Sequence, residues 1–477
     1  VDWFAADDYS LGRLLFKEGL AVLYLVAFVS AVRQFRALIG TDGMLPVPEF
    51  LRTSSFRRHP SLFQWHYSDR YFAAVAWTGA GLAAVTAAGL TDRLPAAVCA
   101  LVWLAMWLLY LSIVNVGQLW YGFGWESLLL EAGFLAVFLG NADTAPPLLI
   151  LLALRWLLFR LEFGAGLIKI RGDPCWRNLT CLYYHHETQP MPGPLSWYFH
   201  RLPRPLHRVE VAGNHFTQLV VPFGLFAPQP VAGVAATIMI VTQLWLVVSG
   251  NFAWLNWAAI VLAVSVLPDS VLGRVLPVPH GAGATPAVFV GAVLAATALV
   301  VVLSYWPVRN LFAHRQLMNA SFNPWHLVNT YGAFGHVTKR RYEVIVEGTV
   351  DTRVDDYTVW QEYEFRGKPG DVHRRPRQFA PYHLRLDWLM WFAAISPGYA
   401  GSWFVPFVAR LLRNDPATVK LLRHNPFAQS PPTFVRARLY LYRFTTLSER
   451  KESGAWWVRE DIDEFLRPVR RREVAGL

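Results

Sequence analysis

RWLLFRLEFGAGLIKIRGDPCWRNLTCLYYHHETQPMPGPLSWYFH, residues 155–200, carries an apolar helix into a compact loop of Cys, His, Trp and Pro. The helix holds Arg155, Arg160, Glu162 and Lys169. Arg155, Glu162 and Lys169 recur every seven residues, nearly two helical turns, so they share one face about 10 Å apart along the axis. Charges in an apolar span are costly and normally face a bundle interior or a cavity. Glu131, in the preceding apolar run, is the natural partner of Arg155 or Arg160. The favoured reading of this polar stripe is an ion-pair network that fixes helix packing. The other is a polar cavity for substrate or proton handling. Gly164 and Gly166 beside it favour close helix packing.

Apolar runs recur on both sides of this helix. A membrane span needs about 20 mostly apolar residues, because the backbone must satisfy its own hydrogen bonds in lipid. Candidate spans are 11–32, 71–90, 95–114, 125–140, 146–168, 211–227, 231–249, 252–267 and 284–306. Those at 125–140, 211–227 and 252–267 are short, so about seven to nine spans are expected. No short apolar segment with a small-residue cleavage site precedes the first run, so no cleaved signal peptide is expected. The whole chain is only 16% charged, against roughly a quarter in soluble domains. Its basic excess lies mainly in residues 310–477, with 25 Lys and Arg against 17 Asp and Glu. The fold class is therefore a polytopic α-helical membrane domain (1–309) followed by a soluble α+β, β-rich C-terminal domain (310–477). In the latter, 341–350, 357–366 and 433–445 read as strands by alternation and β-branched content. Residues 403–412 and 416–424 read as helices. The apolar run Trp388–Phe392 is too short to span and reads as core, with an interfacial anchor as the other reading. The surplus charge suits a solvated surface or anionic lipid headgroups, and no nucleic-acid-binding motif is present.

With nine spans, loops 33–70 and 169–210 lie on the same side as the C-terminal domain. These loops carry Arg33, Arg36, Arg52, Arg57, Arg58 and Arg70, and Lys169, Arg171, Arg177, Arg201, Arg204 and Arg208. The opposite side shows little beyond Arg93 and Arg274. The positive-inside bias would put the loops in the cytoplasm.

The loop 169–210 holds the residue types that carry chemistry. Cys175 and Cys181 bracket five residues, which permits a structural disulfide, free thiols or an exchanging pair. The spacing is not that of thioredoxin-like motifs, and Cys99 reads as an inert buried thiol. Lys169, Arg171, Asp173, His185 and His186 are the catalytic candidates. Adjacent histidines on a strand would point to opposite faces, and no zinc-type ligand spacing appears, so no metal and no cofactor is expected. A polar loop with interfacial histidines is the favoured reading of His185, His186, His200 and His207. The chain lacks a phosphate loop and a nucleophile elbow, so it does not read as a lipase.

A second stretch, NTYGAFGHVTKRRYEVIVEGT (329–349), is punctuated by Gly332 and Gly335. Together, 155–200 and 329–349 resemble the signatures of the lipase maturation factor family, one in each half of the chain. Alanine- and arginine-rich usage fits a bacterial member. The resemblance implies a multi-pass membrane protein that assists folding and assembly of secreted lipases or related hydrolases, with membrane lipids and partly folded clients as partners. It implies the endoplasmic reticulum membrane for eukaryotic members, the cell membrane for a bacterial one, and a lumenal or extracytoplasmic C-terminal domain. Asn329, Tyr331, Phe334 and His336 are then client-binding candidates, and Cys175 and Cys181 a disulfide or redox pair. The alternatives are an integral-membrane enzyme that loosely resembles vitamin K-dependent gamma-carboxylase, or a lipid-binding or transport protein.

Overall fold

The computed structural model describes residues 3–278 and 285–474. Residue 284, where the last apolar run begins, lies outside the described residues. The principal helices of the first half are α1 (Ser10–Leu38), α2 (Asp69–Ala87), α3 (Ala96–Val116), α4 (Gly124–Ala136) and α5 (Leu148–Arg171). After a short helix α6 (Leu182–Thr188) come α7 (Arg204–Leu219), α8 (Val231–Ser249), α9 (Leu255–Val264), α10 (Ala287–Leu303) and α11 (Tyr305–Phe312). Among the described residues, four helical segments are long and apolar enough to cross a membrane: Asp7–Leu38, Ala96–Val116, Val231–Ser249 and Ala287–Phe312. On the outer faces of these helices Leu101, Val241, Val288, Val301 and Val302 stand exposed, a pattern that suits lipid rather than water.

The expected run 211–227 is displaced. Its helix begins at Arg204 and ends at Leu219, and Val221–Gly224 forms a separate turn. Pro205 sits near the start, where its missing N–H costs nothing, and Pro222 restarts the helix because it cannot continue one.

Helix ends gather into two layers. In one, the Asp269 carboxylate accepts from the backbone N–H groups of Ser10 (3.0 Å) and Leu11 (2.8 Å), completing the first turn of α1 where the helix dipole favours an anion. Lys17 pairs with Asp92 there and donates to the Gly140 carbonyl at 2.7 Å. The other layer holds the C-terminal ends of α1, α3, α5 and α8 and the starts of α2, α4 and α9, and the C-terminal part of the chain sits on it. There Gln34 Nε2 donates to the His383 carbonyl at 2.7 Å, Asn251 Nδ2 to that of Arg377 at 2.9 Å, and Trp197 Nε1 to that of Thr445 at 3.0 Å.

The C-terminal part is built on a four-stranded antiparallel sheet, ordered β2-β1-β3-β4, from β1 (Arg341–Thr349), β2 (Gln361–Glu362), β3 (Phe434–Phe444) and β4 (Trp457–Arg470). Two strands match the expectation. The stretch 357–366 yields only the two-residue β2: Asp355 accepts from Tyr357 N at 2.9 Å and holds the first residues in a turn, and Glu364 bridges to His424 instead of to β1. The fourth strand, β4, was not expected. Helices α12 (Arg385–Ile395) and α13 (Phe404–Leu411) complete the domain. Pro416–Val419 is one short helical turn where 416–424 was expected.

The run Trp388–Phe392 is core: Trp388, Leu389 and Met390 are buried, and Trp388 packs on Trp125 at 4.9 Å between ring centroids. One buried apolar cluster runs from Phe16 and Trp103 through Trp125 to Val344, Trp388 and Phe407. The two parts therefore share a core. Arg385 is the deepest link. Its Nη1 donates to Glu126 Oε1 (2.6 Å) and to the Trp120 carbonyl (2.7 Å), and its guanidinium lies 3.5 Å from the Tyr121 ring centroid.

Removing one partner of such a pair strands a buried charge. Arg385→Met is expected to cost about 3–5 kcal/mol, read as a lowered unfolding midpoint of the detergent-solubilised protein. Glu126→Gln combined with Arg385→Met should recover part of that loss. A double variant no more stable than Arg385→Met alone would show that the pair does not join the two parts.

Candidate functional site

Helix α5 organises the junction. Arg160 pairs with Glu131 of α4, so the expected partner of Glu131 is Arg160 and not Arg155. The remaining capacity of Glu131 is filled from the other half of the chain: its Oε2 accepts from Asn329 N (2.8 Å), Asn329 Nδ2 (3.0 Å) and the Tyr331 hydroxyl (2.7 Å). A buried carboxylate is tolerable only when paired and hydrogen-bonded in this way. Asn329 and Tyr331 are thus buried and committed to Glu131.

From Tyr331 the chain crosses over α5 at backbone contact. A Cβ on Gly164 would stand 2.4 Å from the Tyr331 carbonyl oxygen, and one on Gly172 would stand 2.1 Å from that of Gly335. From the other side, Gly332 and Gly335 face Ile168. Gly166 instead admits α7, through Gln218 and Leu219. The two glycine-marked stretches of the sequence are one structure, fastened by Asp173 N to the Gly335 carbonyl (2.8 Å) and Trp176 Nε1 to the Phe334 carbonyl (2.7 Å).

The loop after α5 is a small folded unit. Cys175 and Cys181 form a disulfide that is buried against Trp176, Leu182, Val211 and Val337. An attacking thiolate needs access to sulfur, and the cluster encloses this bond. The Asp173 side chain accepts from Cys175 N at 2.9 Å. The Gln189–Pro190 turn is gripped from β1: Arg341 donates to the carbonyls of Glu187 (3.0 Å) and Pro190 (3.0 Å) while pairing with Glu343 at 2.6 Å. Lys368 closes the triad at 2.9 Å from Glu343.

The polar stripe is buried, and Glu162 and Lys169 are met through amides. Glu162 accepts from Gln243 (2.6 Å) and Gln218 (3.4 Å), and Lys169 donates to Gln218 Oε1 at 2.8 Å with its ammonium 5.0 Å from the Trp176 ring centroid. Arg155 donates to the Leu225 carbonyl at 3.1 Å and lies over Tyr9. The five catalytic candidates do not converge. Lys169 belongs to this relay. Arg171 reaches the Leu311 carbonyl (2.8 Å) and Gln316 (3.1 Å). Asp173 caps a turn. His185 sits between Phe252 and Phe334, where burial, with His186 and Lys169 nearby, lowers its pKa to about 3 and keeps the ring neutral. His186 turns the other way, toward His207 and Glu210. Of the client-binding candidates, Phe334 is half-buried and His336 is exposed. Sequence reasoning missed Gln218, Gln243 and Glu210. The spacing from His207 to Glu210, one helical turn, was the available signal for the last.

The family model "Lipase maturation factor transmembrane domain" matches residues 11–274, and "Lipase maturation factor C-terminal domain" matches residues 327–467. The chain is similar to lipase maturation factor 1 of Homo sapiens, 40% identical over 97% of this chain and 88% of that protein. It is 39% identical to that of Bos taurus over 99% of this chain and 91% of that protein. Lipase maturation factor 2 of Gallus gallus is 29% identical over 96% of this chain and 81% of that protein. No solved structure matches.

Two glycine substitutions separate close contact from helix propensity. Gly172→Ala is expected to destabilise the crossing by roughly 1–3 kcal/mol through overpacking, read as faster amide exchange at 331–336. Gly213→Ala, in α7 with open space around it, should be neutral or stabilising by up to about 1 kcal/mol. Equal behaviour of the two would refute the contact argument.

Proposed function

The chain belongs to the lipase maturation factor family, and on that premise we propose that it is a membrane-bound maturation factor that assists folding and assembly of secreted lipases. The observation that carries this reading is the similarity to lipase maturation factor 1 along nearly the whole chain. The geometry agrees with it: a polar domain is held rigidly on one end of a helix bundle, beside a disulfide-closed loop. The enzyme and carrier readings need a cavity at Lys169 and the histidines, and those side chains instead point to separate partners.

The membrane arrangement we favour has nine passes, made by α1, α2, α3, α4, α5, α7 with its following turn, α8, α9, and α10 with α11. Support comes from the two layers of helix ends, between which successive segments alternate. We place the layer bearing the C-terminal domain on the lumenal or extracytoplasmic side. The Cys175–Cys181 bond lies in that layer, and disulfides persist in oxidising compartments.

Client contact is assigned to the loop between β1 and β2. Val350, Val354, Tyr357 and Val359 all stand exposed there, Tyr357 at 92%. Folding intermediates expose apolar surface and aggregate, and an apolar loop on a rigid mount is suited to cover such surface. Asn329 and Tyr331 hold the domain in place instead of meeting the client.

In cells lacking their own factor, the chain should raise the activity of a co-expressed secreted lipase per unit of lipase mass. Tyr357→Asp with Val359→Asp should lower that gain several-fold at unchanged abundance of the chain. No gain from the parent chain would overturn the function; a full gain from the variant would overturn the client surface. An Asn-x-Thr acceptor placed in 351–356 should be glycosylated in microsomes, and its failure while an acceptor at 88–95 is modified would reverse the orientation.

A further inference from the structure

We propose that His186, His207 and Glu210 form a binding site for one divalent zinc-type metal ion, which joins α6 to the first turns of α7. His186 Nε2 lies 3.9 Å and His207 Nδ1 3.8 Å from Glu210 Oε2, and one ligand atom from each of the three residues falls within 4.8 Å of the other two. Ligands on a tetrahedral zinc, at about 2.0–2.1 Å from the metal, sit roughly 3.3 Å from one another. The trio is therefore slightly open and closes on an ion by small side-chain movements.

Three features mark a built site. First, both imidazoles are 2% exposed. His186 Nδ1 and Nε2, His207 Nδ1 and Glu210 Oε2 are all buried without a hydrogen-bond partner, although buried polar atoms are normally satisfied. At 3.8–3.9 Å the carboxylate is too far away to accept a hydrogen bond from either ring. Second, the carboxylate is aimed. Trp245 Nε1 donates to Glu210 Oε1 at 2.6 Å, which leaves Oε2 turned toward the two rings. Outer partners of this kind orient metal ligands. Third, the rings are fixed by aromatic packing: Phe199 stacks on His186, with centroids 5.5 Å apart, and Trp245 meets the edge of Phe199 at 4.9 Å.

Two imidazole nitrogens and one carboxylate oxygen suit zinc and its first-row neighbours rather than magnesium or calcium. Three protein ligands leave a fourth position for water. The loop from Gln189 to Pro203 starts and ends beside the ligands, so the ion would close it into a second small unit next to the disulfide. This inference is independent of the lipase reading, because it concerns loading of the protein itself.

The test uses the full chain, purified in detergent, stripped with a chelator and titrated with Zn2+ against a chromophoric competitor. One equivalent should bind. His207→Gln and Glu210→Gln should each weaken binding by about 100-fold or more, since loss even of an outer partner costs 10–100-fold. His336→Gln, at an exposed side chain outside the trio, should bind as the parent does. Monodisperse elution and absence of free Cys175 and Cys181 thiols establish that each variant is folded. Co2+ added to the parent chain should give the visible absorption of a tetrahedral nitrogen and oxygen site, a readout that needs no variant. Substoichiometric zinc, an octahedral Co2+ spectrum, or unchanged affinity in folded His207→Gln and Glu210→Gln would overturn the site.

Discussion

Backbone laid directly on a helix is the constraint from which the junction follows. The carbonyls of Tyr331 and Gly335 occupy the space where side chains at Gly164 and Gly172 would stand. Contact this close leaves no room for water, so every polar group beneath the crossing needs a protein partner. Glu131 supplies it, taking Arg160 from one side and Asn329 and Tyr331 from the other. Once residues 329–335 are fixed, β1 begins six residues later, at Arg341, which reaches back to the carbonyls of the loop after α5. One helix thereby sets the position of the sheet.

The same economy governs the other buried charges. Arg385 enters the bundle from the C-terminal part and meets Glu126. Arg341, Glu343 and Lys368 form a triad with no exposed side-chain surface. Breaking such groups is more damaging than never having had them. Their distribution across the junction means that the two parts hold each other in register. An apolar interface alone would permit sliding; ion pairs with carbonyl acceptors do not.

Much of this architecture was legible in the sequence. The apolar runs marked the helices because lipid demands long uninterrupted segments. The seven-residue spacing of Arg155, Glu162 and Lys169 marked a buried face. The details that were not legible have physical reasons. The strand β4 carries Glu460, Asp461, Asp463 and Glu464, and charges on an edge strand prevent unwanted pairing while hiding the alternation that identifies a strand. Helix α7 is amphipathic, so its polar first half lies outside the apolar run used to find it. The stripe gave no hint that Glu162 would be met by Gln243 and Gln218 rather than by Lys169 directly, since uncharged partners leave no signature. His186 reads from sequence as part of a polar loop; it lies in a helix, beside the start of α7, and faces His207 and Glu210, which no local spacing could connect to it.

The charge bias of the arginine-rich loops points opposite to the orientation proposed above. Topological bias counts charges that are free to interact with the membrane potential and lipid surface during insertion. Several of these are engaged in the folded protein: Arg171 with the Leu311 carbonyl, Arg177 with that of Ile170 at 2.8 Å, and Arg201 with Thr445. Lys169 is enclosed by Gln218 and Trp176. These side chains are present because carbonyls at helix ends and turns need donors, and arginine supplies several in a rigid fork. A charge retained for such a structural purpose carries little information about topology. Arg52, Arg57, Arg58 and Arg70 remain exposed, so the loop before α2 is where the bias keeps its force. The disulfide belongs to the loop after α5, which is fastened to the same domain, and in the orientation proposed above it faces the oxidising side, where such bonds persist.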